Sequence, residues 1–235
     1  MNRLTNVLAA SCFIAVPSMA FAQARPAAPF TGEMTPDLTR FRALYEELVE
    51  IDTTLSAGDC TRASEAVARH LREAGYPEED VRVIVAPGHE REGNVTAVLH
   101  GSDPLARPML LLAHLDVVEA DRADWERDPF TLVEENNFFY ARGAADDKSM
   151  AAIFTDSLIR YREEGFRPER DIKMALTCGE ENSEAFNGVR YLLENHRDLI
   201  DAEFALNENG NGLLDENSER VALLLQAGQK ISQNF

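Results

Sequence analysis

Histidine and acidic side chains occur in this sequence just after short apolar runs that are typical of β-strands. Four groups of them stand out: His114 with Asp116, Asp146 with Asp147, Glu180 with Glu181, and Glu208. Ligands of open α/β sheets collect at the carboxyl ends of the strands. Imidazole and carboxylate groups are also the ligands that catalytic zinc sites use. The pattern therefore predicts a metal site, whose chemistry would suit hydrolysis.

The pair His114 and Asp116 has the spacing of a metal ligand and its supporting carboxylate. Residues two apart on an extended segment point the same way. Asp116 could therefore accept the second imidazole N–H of His114 while the other ring nitrogen binds a metal, which fixes the tautomer and raises ligand basicity. The alternative is an ordinary His–Asp surface pair.

Glu180 and Glu181 follow Gly179 at the end of an apolar run. Neighbouring residues point to different places, so the two carboxylates can have different roles. One can bind a metal while the other acts as a general base toward an activated water. A charged surface turn is the alternative.

The segment 141–148 predicts a tight loop that leads into a helix. Gly143 permits an unusual backbone angle, and the small Ala144 and Ala145 permit close packing beside a ligand. Asp146 is a candidate metal ligand. For Asp147 we expect only a favourable electrostatic effect on the N-terminus of the following helix.

Residues 207–212 raise the alternative of a calcium-stabilised binding module. Their asparagines and glycines match early positions of an EF-hand loop. However, the twelfth position is Ser218 rather than Glu, and the flanking segments look like strands. The pattern therefore favours calcium only weakly.

Helical and strand-like segments alternate along the chain. Helices are predicted from Pro36, over 61–74, over 148–164 with Ile153 and Phe154 inward, and over 187–195. Strands are predicted over 81–85, 94–100, 108–113, 138–141, 171–177, 204–206 and 221–225. This alternation predicts an α/β layered domain.

Composition and charge exclude several classes of partner. The 235 residues are 45% hydrophobic, which is enough for one core. The formal net charge is −18, from 41 acidic and 23 basic residues. Nucleic acids and anionic membranes select for basic surfaces, so neither is expected as a partner.

Residues 1–22 have the pattern of a signal peptide. Arg3 precedes a short apolar run over 7–16, and Ala20-Phe21-Ala22 is a small-x-small cleavage pattern. We therefore expect a periplasmic or secreted protein, with residues 23–35 as a flexible leader. Removing the signal leaves Cys60 and Cys178, which could pair or remain buried thiols.

Together, four segments in this order resemble the co-catalytic zinc peptidase family of glutamate carboxypeptidase, aminoacylase, succinyl-diaminopimelate desuccinylase, peptidase V and carnosinase. They are His114-Leu-Asp-Val-Val, Ala141-Arg-Gly-Ala-Ala-Asp-Asp-Lys, Gly179-Glu-Glu and Ala205-Leu-Asn-Glu208. The resemblance covers roughly residues 36–235. It implies a three-layer α/β/α sandwich with a mixed, mostly parallel sheet, and a metallopeptidase that hydrolyses a small peptide or an N-acyl amino acid. It also allows for a homodimer of the full-length form.

The resemblance implies a role for each candidate residue and a pair of zinc ions. His114 and Glu208 would bind one zinc, Glu181 the other, and Asp146 would bridge both. Asp116 would orient His114. Glu180 would be the general base.

This sequence departs from the family pattern at several places. Ala141 and Ser149 stand where the family favours Gly. The family also has a further His ligand far downstream, after a smaller lid domain, and none of the other four histidines of this chain occupies that place. The resemblance thus implies a catalytic domain over 36–220 and the start of the lid over 221–235. The rival interpretation is a truncated, non-catalytic metal- or peptide-binding fragment.

Overall fold

The structure is a computed structural model that describes residues 33–182, 186–208, 210–215 and 220–225. The helices are α1 (Pro36–Glu50), α2 (Cys60–Glu73), α3 (Lys148–Glu163), α4 (Gly188–Asn195) and α5 (Arg197–Ile200). The strands are β1 (Val81–Ile84), β2 (Asn94–Leu99), β3 (Met109–His114), β4 (Val133–Glu135), β5 (Phe138–Tyr140), β6 (Ile172–Thr177), β7 (Phe204–Leu206), β8 (Gly210–Leu214) and β9 (Arg220–Leu225). Two short 3-10 helices, Glu78–Asp80 and Arg122–Asp124, complete the described elements.

Five strands form one mixed sheet in the order β1-β2-β6-β3-β7. The pairs β1–β2 and β2–β6 are antiparallel, whereas β3 pairs in parallel with both β6 and β7. Four of the five strands therefore run in the same direction, and β2 alone is reversed. As a result, the carboxyl ends of β6, β3 and β7 lie at one edge of the sheet.

Helices cover both faces of this sheet. The helices α1, α2 and α3 pack with the sheet around the larger core, which includes Leu48, Leu71 and Met174. On the other face, α4 and α5 enclose a smaller core that includes Leu192 and Ile200. The predicted α/β class and the implied α/β/α sandwich are therefore confirmed.

Three helices, α1, α2 and α4, begin where a side chain accepts a free backbone N–H. Thr35 accepts from Leu38 at the start of α1, Asp59 accepts from Arg62 at α2, and Asn187 accepts from Arg190 at α4. Such caps satisfy donors that have no partner within the helix. Thr35 and Pro36 thus set the start of α1 as the sequence predicts.

One expectation about an individual element is wrong, and one predicted strand lies outside the main sheet. Ile153 is 49% exposed, because the face of α3 that packs on the sheet consists of Ala151, Ala152, Thr155, Leu158 and Ile159. The strand 138–141 is β5, but it pairs with β4 in a separate hairpin and does not join the main sheet. Positive backbone φ angles at Asn136 and Asn137 form the turn of this hairpin.

The calcium interpretation is not supported by the local backbone. Residues 210–214 form strand β8, which pairs antiparallel with β9. An extended strand occupies positions that a calcium-binding loop would need to curl around an ion. The predicted strand 221–225 is confirmed as β9, but whether it begins a lid domain stays a prediction.

The two cysteines whose pairing the sequence did not decide are bonded to each other. Cys60 at the start of α2 and Cys178 just after β6 form a disulfide across 118 residues.

The predicted signal peptide over 1–22 and most of the leader lie outside the described residues. Within the described part of the chain, no helix has the length and apolarity needed to cross a membrane.

Candidate metal centre

The sheet brings the predicted ligands to one edge. His114 is the last residue of β3 and pairs with Thr177 at the end of β6, three residues before Glu180. Glu208 lies two residues beyond β7, the other neighbour of β3. Because these three strands are parallel, their following residues converge at the carboxyl edge, as the sequence pattern predicts.

Asp146 reaches the same place by a different route. It is not at the end of a strand of the main sheet, since β5 belongs to a separate hairpin. It lies instead in the loop before α3, and α3 packs against β3. Gly143 in this loop has a φ of +76°, and a side-chain Cβ there would lie 2.7 Å from a methyl group of Val117. The loop can therefore approach the strand end only with glycine at this position.

The imidazole of His114 is the centre of the cluster. Its Nε2 atom is 3.0 Å from a carboxylate oxygen of Asp146, 3.8 Å from one of Glu208 and 3.9 Å from one of Glu180. The ring is buried, whereas the side chain of Asp146 is 65% exposed. One ring nitrogen thus points into an open, acidic mouth.

Two overlapping groups have the geometry of a metal site. His114, Asp146 and Glu181 offer ligand atoms that all lie within 4.8 Å of one another, and so do His114, Asp147 and Glu208. All five side chains are of types that bind divalent cations through nitrogen or oxygen. The residues present can therefore hold a metal ion, and the donor set fits the zinc-type ligands expected from the sequence.

Asp116 contacts His114 differently from the expectation. The second ring nitrogen, Nδ1, lies 3.0 Å from the backbone carbonyl oxygen of Asp116 and 3.6 Å from its carboxylate. The shorter contact is a hydrogen bond and the longer one is not. The expected carboxylate–imidazole bond is therefore corrected to a carbonyl–imidazole bond, which can fix the same tautomer.

The carboxylate of Asp116 has another role. It accepts the backbone N–H groups of Glu180 and Glu181, at 3.2 Å and 3.0 Å. It is buried, and these bonds join the end of β3 to the turn after β6. Asp116 therefore positions the main chain of the glutamate pair as well as the ring of His114.

The expectation for Asp147 is also corrected. Asp147 occupies the N-cap position of α3, but its side chain makes no capping hydrogen bond. The carboxylate is buried and accepts the backbone N–H of His114 at 3.2 Å. Two adjacent acidic residues before a helix can be buried or exposed, and the sequence alone does not indicate which applies to Asp147.

Two further side chains support the loop, and sequence reasoning did not identify either. The Lys148 side chain is fully buried and donates to the carbonyl oxygen of Ile51 at 2.6 Å. Burial lowers the pKa of Lys148 to about 7. The hydroxyl of Tyr45 donates to the carbonyl oxygen of Ala144 at 2.6 Å. A lysine in a helical segment normally lies on the surface, and apolar spacing does not indicate which group a tyrosine hydroxyl contacts.

The electrostatics of the cluster fit a bound cation. Burial acts to lower the pKa of His114, but the charges of Asp116, Asp147 and Glu208 outweigh it and raise the pKa. Burial, and then the charge of Asp146, raises the pKa of Glu181. Burial raises the pKa of Asp147 to about 7. Carboxylates crowded in this way repel one another, and a cation among them removes that cost.

Comparisons with known proteins point to one peptidase family. Residues 110–221 match the family model described as "Peptidase family M20/M25/M40". The chain is 39% identical over 85 residues to the mouse (Mus musculus) N-fatty-acyl-amino acid synthase/hydrolase PM20D1, covering 36% of this chain and 17% of that protein. It is 31% identical over 141 residues to aminoacylase-1A of Rattus norvegicus, covering 59% of this chain and 33% of that protein.

A solved structure shows the same fold. The M20 family metallo-carboxypeptidase Sso-CP2 from Sulfolobus solfataricus superimposes with a TM-score of 0.61 at 21% identity. The match covers 79% of this chain and 39% of that one. The matches thus cover well under half the length of each of these three proteins.

Proposed function

Because residues 110–221 of this chain belong to peptidase family M20/M25/M40, we propose that it is the metal-binding part of a zinc-dependent hydrolase that cuts amide bonds. The observation that carries this proposal is the convergence of His114, Asp146 and Glu181 within 4.8 Å of one another, with Glu208 beside them. One imidazole with several carboxylates is a donor set for zinc. Two zinc ions sharing Asp146 are the arrangement that we propose for the complete enzyme.

The mechanism assigns distinct roles to the two glutamates. Zinc bound among these side chains would polarise the substrate carbonyl and lower the pKa of an attacking water to about 7. Glu180 would take the proton from that water and pass it to the nitrogen of the departing amine. Its side chain is 52% exposed and its carboxylate lies 3.9 Å from Nε2 of His114, whereas Glu181 belongs to one of the two ligand groups. Asp116 would keep both glutamates in place.

The proposed substrate is a small peptide or an N-acyl amino acid. The two relatives named above are, by their names, a hydrolase of N-fatty-acyl amino acids and an aminoacylase. Both names imply an amide bond to an amino acid. These similarities support the class of bond and leave the acyl or peptidyl group open.

We also propose that the protein is exported. The signal pattern of residues 1–22 predicts it, and the Cys60–Cys178 disulfide supports it, since disulfides persist mainly in oxidising compartments. N-terminal sequencing of the mature protein should begin at Gln23. A mature protein that retains Arg3 would contradict export.

Zinc titration of residues 23–235, which lack the predicted signal segment, tests the proposed function. In the proposed arrangement, His114, Asp146 and Glu208 would supply three protein ligands to one zinc, whereas Asp146 and Glu181 would supply two to the other. We expect metal analysis after mild dialysis to give nearer one zinc than two per chain. His114→Ala should lose this zinc. His100→Ala, at the opposite edge of the sheet, is the matched control and should retain it.

Hydrolysis assays on N-acetyl amino acids and dipeptides complete the test. We expect little turnover from this chain and turnover from a longer form that includes the remaining ligand. Equal zinc binding by His114→Ala and the unmodified chain would refute the metal site. Zinc binding without turnover in the longer form would favour the rival function, a non-catalytic metal- or peptide-binding protein.

A further inference from the structure

The disulfide lies next to the glutamate pair of the proposed site. Cys178 is the residue before Gly179, and Glu180 and Glu181 follow directly. Its partner Cys60 is the first residue of α2, on the face of the sheet that holds the larger core. Both cysteines are buried, at 2% and 5% exposure. The bond therefore ties a helix start to the strand end from which the glutamates leave the sheet.

The backbone of Cys178 is held on both sides. Its N–H donates to the side-chain oxygen of Asn94 at 3.1 Å, and its carbonyl oxygen accepts the N–H of Gly188 at 2.8 Å. Asn94 is fully buried and donates its amide to the carbonyl oxygen of Ile84. These bonds fix the position of Cys178 along the strand direction, and the disulfide adds a covalent link to the first residue of α2.

The turn after Cys178 leaves little freedom. Gly179 has a φ of +88°, and a Cβ there would lie 1.7 Å from the carbonyl oxygen of Phe186. Asn187 donates its side-chain amide to the carbonyl oxygen of Gly179 at 3.3 Å. Asp116 then receives the next two backbone N–H groups. A shift of Cys178 is thus transmitted along a short, bonded segment to Glu180 and Glu181.

A cavity beside the disulfide makes such a shift possible when the bond is absent. It has a volume of about 190 Å³, and Cys60, Cys178, Gly179 and Asp116 are among the residues that line it. Leu55, which is 44% exposed, also lines it, so the cavity opens to solvent. Movement of the turn into this space would displace water rather than packed side chains.

We propose that the Cys60–Cys178 disulfide is a positioning element of the metal centre, which holds the Glu180–Glu181 turn against Asp116. This role presupposes the metal site proposed above. Without the bond, the turn moves toward the cavity, the Asp116 hydrogen bonds lengthen, and the zinc held by Asp146 and Glu181 is bound more weakly. The zinc held by His114 and Glu208 is affected less, because β3 and β7 do not carry the bond.

Hydrogen exchange of the metal-free chain tests the positioning role without any metal. The double variant Cys60→Ala, Cys178→Ala is compared with the unmodified chain, and Ile159→Ala serves as a control that removes packing in the same core far from the turn. We expect faster exchange of the Glu180 and Glu181 amides in the double variant and unchanged exchange there in Ile159→Ala. If the Ala pair fails to fold, reduction of the unmodified chain by dithiothreitol is the second route. It yields two cysteine thiols and the cyclic disulfide of the reagent.

Zinc binding provides the second measurement, made by titrating residues 23–235 with zinc in excess. Loss of an interaction that orients metal ligands typically lowers affinity about 10- to 100-fold. We expect a decrease of that size for the more weakly held zinc of the double variant, with the tighter zinc within a few-fold of normal. Unchanged amide exchange and unchanged zinc affinities would overturn the positioning role. Faster exchange in a chain that binds no zinc would instead retain the positioning role and refute the proposed function.

Discussion

The Asp116 carboxylate accepts the backbone N–H of Glu181 at 3.0 Å, which joins two strand ends whose side chains meet at the candidate metal centre. The same carboxylate accepts the N–H of Glu180 at 3.2 Å. Main-chain donors thus occupy both oxygens of a buried group. The geometry of the glutamate pair therefore depends on a residue that is 64 and 65 positions earlier in the sequence.

Asp116→Asn should weaken zinc binding and destabilise the fold. The amide nitrogen of Asn would face one of the two backbone N–H groups and leave it without an acceptor, at a cost of about 1–3 kcal/mol. The turn that carries Glu181 would loosen, and zinc affinity should decrease by about 10- to 100-fold. Urea unfolding and zinc titration measure the two effects. Asp124→Asn, an exposed change with the same loss of charge, should have neither effect.

Glu180→Gln and Glu181→Gln should separate proton transfer from metal binding. In a longer, active form, Glu180→Gln is expected to keep its zinc and lose turnover by about 10²–10⁴-fold, the usual contribution of a general base. Glu181→Gln should lose zinc as well as turnover. Metal analysis and initial rates on the same preparations decide the matter. Lost zinc in Glu180→Gln with retained zinc in Glu181→Gln would reverse the two roles.

Tyr45→Phe should weaken the loop that carries Asp146. The Tyr45 hydroxyl donates to Ala144, and burial raises its pKa to about 12, so it remains protonated. Tyr76→Phe is a matched control, since its buried hydroxyl donates to Leu158, far from the site. Each change should cost about 1 kcal/mol of unfolding free energy. Only Tyr45→Phe should also lower zinc affinity, and equal affinities in both variants would contradict this role.

His100 should make the stability of the metal-free protein depend on pH. Partial burial acts to lower its pKa, but the hydrogen bond and charge of Asp80, and then the charge of Asp171, outweigh it, so the folded pKa lies above the usual 6.5. The stabilising contribution is therefore fully present below about pH 6.5 and is lost as the pH rises through the folded pKa. Because the ring is largely exposed, solvent screens the effect, which should be small.

Urea unfolding between about pH 5.5 and about pH 8.5 measures this contribution. The difference in midpoint between the unmodified chain and His100→Ala should shrink as the pH increases. Asp80→Asn should reduce the same pH dependence, since it removes the main partner. A difference that grows with pH would contradict the assignment.

The sequence predicted the parts of the fold that depend on periodicity and capping. Apolar spacing predicted α1 with its start at Pro36, and a short apolar run predicted β3. It did not predict that Ile153 faces solvent, because Ala151 and Ala152 occupy the buried face in that turn of α3 and Ile153 lies on the opposite side. Helix rotation of this kind depends on the packing partner rather than on the helix itself.

The sequence predicted less of the site than of the fold. The residue types of His114, Asp146, Glu181 and Glu208 were sufficient to nominate them only as a set, because each motif alone also fits an ordinary charged surface segment. Asp147 and Lys148 could not be assigned from sequence, since burial distinguishes them from surface charges. The pairing of Cys60 with Cys178 likewise depends on a tertiary distance across 118 residues.

The position of β6 between β2 and β3 determines the order in which the molecule can assemble. Both neighbours are made earlier in the chain, yet neither pairs with the other; each pairs with a strand that begins only at Ile172. During synthesis their backbone donors and acceptors therefore remain open until that strand emerges, a state that favours slow folding and aggregation. Cys178 follows β6 directly. The native Cys60–Cys178 disulfide can therefore form only after β6, the central strand of the sheet, has been synthesised.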